Sequence, residues 1–326
     1  MTAPLIKIQT GARLHFGPLS FRPEQGRHFG GIGMMIRHPG YSVRVSVSDK
    51  DQITSWPSRT PEIINRIREN QPHWRHKLNV HVESVIPSHQ GLGSGTQLAM
   101  ALAEAVAVLH DCKEMTSNEL ALLCQRGERS SIGLHGYLSG GFLVDAGHAT
   151  GEVISPLAAQ FQFPDRWPIL LITPPSAKGI SGTAEVETFE QLASMAPEKT
   201  GELCRLALTE ILPAVQIRDF EKFAQGLHDY GIFVGDFFRK HQGGVFSHPA
   251  IGELVHRLHE HGLKAIAQTS WGPTIAVFAE NQPVMQETVA LLQADDFGKA
   301  CSVTETSALN HGRELHSSDE MLAAAD

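Results

Sequence analysis

The stretch IPSHQGLGSGTQLAMALAEAVAVL, residues 86–109, decides how the chain is read. A run of small residues, Gly91-Leu92-Gly93-Ser94-Gly95-Thr96, leads into an alanine-rich segment that is apolar on nearly every side. The spacing predicts a buried helix over 96–110. Glycines let the backbone take positive φ and approach a ligand closely. The first N–H groups of a helix have no internal partner and sit at the positive end of its dipole, so they suit an anion. Ser94 and Thr96 add hydroxyls for a phosphate oxygen or a metal. Residues 91–96 are therefore the candidate phosphate-binding group. A tight turn before a closely packed helix is the other reading, but three alternating glycines followed by Thr-Gln favour the anion. No Gly-x4-Gly-Lys-Ser/Thr occurs, which excludes a Walker-type loop. The glycines of GGIGMM at 30–35 lack the helix and acid of a dinucleotide fingerprint. The stretch also lacks any lysine or arginine, so the balancing charge must come from elsewhere.

Upstream, LIKIQT at 5–10, YSVRVSV at 41–47 and LNVHVES at 78–84 alternate apolar and polar residues as half-buried strands do. PEIINRIREN has isoleucines at helical spacing with Pro61 near its start. Thr116 and Glu119 form a capping box opening another helix, and GGFLVDAGH at 140–148 reads as a strand. Periodicity weakens over 150–167, which sets the expected division into domains at 1–160 and 161–326. Beyond it, WPILLIT is a buried strand, with helices expected near 183–195, 202–212, 218–240, 250–261 and 283–293. LKAIAQTS, TIAVFAE and residues 300–306 supply further strands. Stripped of insertions, this half follows the β-α-β-β-α-β order of a ferredoxin-like unit. The tail after 310 carries little packing signal.

The chain has 326 residues, a natural size for two domains. A net charge of −8 argues against broad nucleic-acid binding, although a local basic pocket is compatible with it. The four cysteines show no Cys-x-x-Cys pair and read as reduced thiols. The first residues show no signal-peptide core, and no stretch approaches the ~20 apolar residues of a membrane span. A soluble cytoplasmic enzyme is the expectation.

PSHQGLGSG resembles the glycine-rich loop of the GHMP superfamily of small-molecule kinases. TGARLHFGP at 10–18 and KAIAQTSWGPTIAVF at 264–278 fall where that superfamily has its first and third motifs. Within it, HQGLGSGTQLA, RGERSSIGLHGYLSGGFLVDAGH and TSWGP resemble the β-ribofuranosylaminobenzene 5′-phosphate synthase family over roughly residues 5–310. The resemblance implies an α+β, GHMP-type two-domain fold. Its N-terminal mixed α/β domain would carry the phosphate loop, and its C-terminal domain would be ferredoxin-like. It also implies phosphoribosyl pyrophosphate and a benzoate-type aromatic acid as substrates, Mg2+ as cofactor and a homodimer. The products would be a C-riboside 5′-phosphate, CO2 and pyrophosphate, on the route to tetrahydromethanopterin. The chain departs from the kinases in having Arg13 where they usually have lysine and Gly95 where they have a second serine. It has no acid between Arg129 and Val144, where they place an aspartate. An ATP-dependent kinase and a catalytically silent ligand-binding regulator are the alternatives.

Arg13 and Arg129 are the candidate catalytic arginines, because a guanidinium fork suits phosphate and carboxylate alike. Structural ion pairs are their other reading. His15 is expected to polarise or deprotonate a phenol, since imidazole titrates near neutrality; a packing histidine is the alternative. Ser94 and Glu128 are the candidate Mg2+ ligands, with a salt bridge equally open for Glu128. Arg22, Arg27 and His28 lie in a glycine-rich loop that would close over the sugar phosphate or be solvated. Lys178 and Ser181 lie in a second such loop, or at an ordinary helix entry. Glu253, His256 and His259 read as a solvated helix edge, Asp295-Asp296 lacks the context of a phosphoribosyltransferase loop, and Trp271 reads first as a turn residue, with aromatic contact left open.

Overall fold

The computed structural model describes residues 4–112, 114–175, 179 and 183–318. Strand β1 (Leu5–His15) pairs antiparallel with the long β2 (Gly31–Ser48), and the register shifts between Gly11 and Ala12. The break at Pro39 and Gly40 divides β2. Its far half pairs β4 (Lys77–Ser84), which holds the short β3 (Gln52–Ile53). Its near half pairs β5 (Phe142–Asp145), which carries β6 (Leu157–Phe161). The near half includes Gly31 and Gly33 of GGIGMM, so those two glycines belong to a sheet strand. Helices α1 (Thr60–Asn70), α2 (Ser94–Leu109), α3 (Ser117–Cys124) and α4 (Ile132–Ser139) complete this region.

Helix α2 buries nearly all of its side chains, as its all-round apolar character requires. The capping box of α3 is present: Thr116 accepts from the Glu119 N–H, and Glu119 accepts from the Thr116 N–H. The tail supplies β11 (Glu314–Ser317), which pairs with β1 and completes the seven-stranded sheet.

The second sheet is antiparallel. It contains β7 (Ile169–Thr173), β8 (Ile266–Gln268), β9 (Ile275–Phe278) and β10 (Ser302–Thr306) in the order β10-β7-β9-β8. That is the ferredoxin-like arrangement. Between β7 and β8 run α5 (Thr183–Gln191), α6 (Pro197–Arg205), a π-helical turn at Leu206–Ile211, α7 (Leu212–Ile217), α8 (Phe220–Gln242) and α9 (Pro249–Glu260). Helices α10 (Gln282–Ala294) and α11 (Asp296–Ala300) precede β10.

The residues of β7 alternate between two cores. Leu170 and Ile172 pack with α9 and α10, while Ile169 and Leu171 join the main core. Burial on both faces explains its continuous apolar run. Ile251, Leu254, Val255 and Leu258 place the apolar stripe of α9 in that second core. Asp295 caps α11 and pairs with Arg257 at 2.8 Å, which gives it a structural role. All four cysteines are free. No helix among the described residues is long and apolar enough to cross a membrane.

Candidate functional site

The three separated motifs meet at one carbonyl. Gly91 O accepts hydrogen bonds from Arg13 Nη1 at 2.7 Å and from Thr269 Oγ1 at 2.8 Å. The Arg13 N–H donates to Leu92 O at 3.1 Å, and the Ser270 N–H donates to His15 O at 2.7 Å. Thus the end of β1, the glycine loop and the β8–β9 turn are stitched together by main-chain and short side-chain bonds. Gly93 caps α2 with φ +73°, and a Cβ there would stand 2.6 Å from Arg13 Cγ. Glycine is needed both for the left-handed backbone and for the passage of the arginine chain.

These elements enclose a cavity of about 380 Å³. Its wall has two chemically distinct parts. Arg13, Arg126 and Arg129, with Glu128, Thr96 and Ser130, make a charged and polar part. Phe29, Phe189, Phe238 and Trp271 make an aromatic part, in which Trp271 meets Phe189 and Phe238 edge-on at 5.4 and 4.7 Å. Arg129 spans the two, its Cζ 5.1 Å from the centre of the Phe189 ring. Such a contact helps to hold a guanidinium in place.

His15 lines the same cavity, buried, with Nε2 lacking any hydrogen-bond partner in the protein. Burial, helped by the Arg13 charge, pulls its pKa down to about 3. The expectation of a group titrating near neutrality is therefore corrected: the ring is neutral at physiological pH, and desolvation is the reason. Its proton is bound in the unfolded chain below about pH 6.5 but in the folded chain only near pH 3. The contribution of neutral His15 to stability is complete above the upper value and is lost progressively as pH falls towards the lower one. The loss is on the order of 4–5 kcal/mol at most. Urea denaturation at pH 7.5 and pH 4.5 should accordingly show a smaller acid penalty for His15→Asn than for the wild type.

Of the six loop residues, Thr96 lines the cavity, Ser94 is buried at the start of α2, and Leu92 is anchored in the core. Arg22, Arg27 and His28 are not brought to the cavity wall. Arg22 donates to the carbonyls of Glu190 and Leu192, and Arg27 pairs with Glu152 and donates to Gly147 O. His28 Nδ1 accepts from the Arg22 N–H. These residues brace their loop, which contributes Phe29 and Gly30 to the wall instead. Lys178 and Ser181 lie outside the described residues.

Arg126, Phe189 and Phe238 are not picked out by the sequence, which leaves aromatic contact by Trp271 open. The sole signal for them was adjacency: Arg126 stands two residues before Glu128 in the motif that was read. Asp145, the first acid after Glu128, is fully buried. It accepts from the Ser131 N–H at 2.6 Å, from the Gly147 N–H at 2.8 Å and from Ser155 Oγ. It is committed to the architecture behind the wall. Glu128 is the one carboxylate among the described wall residues. With the Thr96 hydroxyl it offers hard oxygen donors of the kind Mg2+ takes alongside phosphate oxygens.

A family model for the GHMP kinases N-terminal domain matches residues 60–141. The chain is 28% identical over 299 residues to the beta-ribofuranosylphenol 5′-phosphate synthase of Methanothermobacter thermautotrophicus, covering 85% of this chain and 89% of that protein. The enzyme of the same name from Archaeoglobus fulgidus is 27% identical, covering 95% and 99%. Among solved structures, a putative homoserine kinase from Listeria monocytogenes aligns with a TM-score of 0.67 at 17% identity, covering 95% of this chain and 99% of that one. Mevalonate diphosphate decarboxylase from Staphylococcus aureus gives 0.61 at 15% identity, covering 95% and 98%. Likeness at that level is one of fold, and the α+β fold is GHMP-type.

Proposed function

We propose that this chain, a GHMP-type protein related along most of its length to the β-ribofuranosylphenol 5′-phosphate synthases, is a decarboxylating C-riboside synthase. Its substrates are phosphoribosyl pyrophosphate and 4-hydroxybenzoate or a close para-substituted benzoate. The observation that carries the reading is the two-part cavity. One wall suits phosphates and a carboxylate, the other suits an aromatic ring, and both face one volume.

The chemistry requires little covalent help from the protein. The C1–O bond of the ribose breaks, its electron pair leaves with pyrophosphate, and C1 becomes electron-poor. The ring carbon that bears the carboxylate, para to the hydroxyl, forms the new C–C bond. The phenolic oxygen shares the positive charge that this leaves on the ring. The bond to the carboxyl group then breaks, CO2 departs, and its electron pair restores aromaticity. Holding two reactants in register and stabilising the departing charge are the protein's main tasks.

Arg13, fixed at the crossing of three motifs, faces the developing negative charge. Arg129, seated on Phe189, is placed to orient an anionic group beside the aromatic wall. Neutral His15, which lines the cavity, is the candidate hydrogen-bond partner for the phenol. Glu128 with the Thr96 hydroxyl, rather than the buried Ser94 expected from the sequence, would hold Mg2+, which would supply positive charge for the pyrophosphate when bound. The kinase alternative is disfavoured because Asp145 is occupied by three hydrogen bonds and Glu128 is the sole described carboxylate on the wall.

Incubation of the purified protein with both substrates should yield a product whose anomeric carbon is bonded to the ring, read by NMR. An O-linked riboside, or no riboside from any para-substituted benzoate, contradicts the reading. Phe189→Leu should raise KM for the aromatic acid about 3- to 10-fold, with KM for phosphoribosyl pyrophosphate little changed, because edge-on aromatic contacts are lost. Steady-state kinetics with each substrate varied in turn checks this.

A further inference from the structure

The loop between β1 and β2 holds Arg22 in a left-handed backbone conformation, with φ +46°. A residue with a long side chain takes that conformation only when its surroundings impose it. Here the Arg22 N–H donates to His28 Nδ1 at 2.7 Å, which fixes the turn. Burial, helped by the Arg22 charge, holds the His28 pKa below its ordinary value, so at neutral pH Nδ1 remains an acceptor. The guanidinium of Arg22 reaches α5, where Nη1 donates to Glu190 O at 3.1 Å and to Leu192 O at 3.3 Å. Those carbonyls lie at the C-terminal end of the helix, which leaves backbone oxygens without internal partners and carries negative partial charge. The last turn of α5 contains Glu190 and no basic residue of its own. A helix of nine residues is marginal in isolation, and Arg22 supplies from another element the cation that this one lacks.

The same loop grips the ring that α5 carries. Phe21, buried, stacks on Phe189 with ring centres 5.6 Å apart, and Phe29 meets Phe189 edge-on at 5.7 Å. Arg22 Cζ lies 5.5 Å from the centre of the Phe21 ring, and the Met195 N–H beyond α5 donates to Phe21 O at 2.8 Å. Phe189 in turn seats Arg129 and meets Trp271 in the cavity wall. Arg22 itself is not among the described wall residues. A continuous line of contacts therefore runs from Arg22, through the end of α5 and the Phe189 ring, to Arg129.

We propose that Arg22 is a positioning residue for the aromatic half of the site: it clasps the C-terminal end of α5 and so sets the Phe189 ring, against which Arg129 and the aromatic acid are held. The proposal deepens the proposed reaction and rests on it for the identity of the aromatic ligand. It gives Arg22 a task other than contact with the sugar phosphate. The loop keeps its remaining anchors when Arg22 is replaced. Arg27 donates to Gly147 O at 2.7 Å, and His28 exchanges main-chain hydrogen bonds with His148 at 2.8 and 2.7 Å. Arg22→Met therefore folds.

Steady-state kinetics and amide hydrogen exchange, read by mass spectrometry on the full-length protein, test this together. Arg22→Met should raise KM for 4-hydroxybenzoate about 2- to 5-fold and leave KM for phosphoribosyl pyrophosphate unchanged. Exchange over residues 187–192 should quicken about 3- to 10-fold, because the helix end loses its donor and its cation. Arg22→Lys should restore most of both, since an ammonium also donates to carbonyls at a helix end. In a Phe189→Leu background, Arg22→Met should add little to the rise in KM, because the two changes act through one ring. A raised KM for phosphoribosyl pyrophosphate, full additivity with Phe189→Leu, or wild-type exchange in Arg22→Met each overturns the proposal. Faster exchange in Arg22→Met, with no riboside formed by the wild type from any benzoate, would sink the reaction and leave the clasp standing. Riboside formation by the wild type, with unchanged kinetics in Arg22→Met, would do the reverse.

Discussion

Replacement of Arg13 by methionine should lower kcat/KM by about 10²- to 10³-fold, the range seen when a preorganised donor to developing charge is removed. The side chain lies where β1, the glycine loop and the β8–β9 turn converge, and its Nη1 bond to Gly91 O fixes the direction of the guanidinium. A group held that firmly loses little freedom when it meets an anion, so its loss is felt mostly in the transition state. Arg13→Lys should rescue only part of the activity. Lysine keeps the charge but cannot hold the Gly91 carbonyl and present a planar fork together. Both variants should fold, because the main-chain bond from Arg13 N to Leu92 O survives. Kinetics alongside circular dichroism checks this, and wild-type turnover in the methionine variant removes Arg13 from the site.

Arg313→Met should cost about 3–5 kcal/mol of stability, the usual consequence of stranding one member of a buried ion pair. Glu104 points from α2 into the interior with 3% exposure. Arg313 grips it with Nε at 2.8 Å from Oε2 and Nη2 at 2.5 Å from Oε1, and the Tyr137 hydroxyl donates at 2.6 Å. Burial, with the Glu104 carboxylate beside it, pushes the Tyr137 pKa well up, so that hydroxyl stays protonated and keeps donating. Without the arginine, one neutral donor faces a buried carboxylate. The double variant Glu104→Gln, Arg313→Met should recover much of the loss, since no unpaired charge remains. Urea denaturation of the two variants and the wild type checks both statements, and near-equal midpoints for Arg313→Met and wild type contradict them.

The same contact shows why the tail was illegible. Its fixing force is one charged pair to α2 and a four-residue strand against β1, and neither leaves a periodic apolar pattern. Helix α4 was hidden for a related reason. Gly133 and Gly136 depress its helix propensity, yet Met35 of β2 lies where a Cβ on Gly136 would be, so close helix–sheet packing overrides propensity. Strand β6 sits in the weakly periodic stretch because its five residues gain their place from pairing with β5. By contrast, α2, the α3 capping box and β7 were readable, since each writes its environment directly into residue type and spacing. At the site, the motifs carried Arg13, His15, Thr96, Glu128 and Arg129 to the cavity. They could not carry Arg126, Phe189 or Phe238, which reach it through tertiary packing. The charge of His15 was misread, because burial, which decides it, is not a property of the residues beside it in sequence.

Release of labelled CO2 from carboxyl-labelled 4-hydroxybenzoate tests the central claim most directly. The assay contains phosphoribosyl pyrophosphate and Mg2+, with ATP turnover measured in parallel. The proposed reaction predicts release that requires both substrates, one CO2 per pyrophosphate, and no consumption of ATP. Formation of ADP dependent on a small-molecule acceptor, without CO2 from any para-substituted benzoate, would contradict it and return the chain to the kinases whose fold it shares.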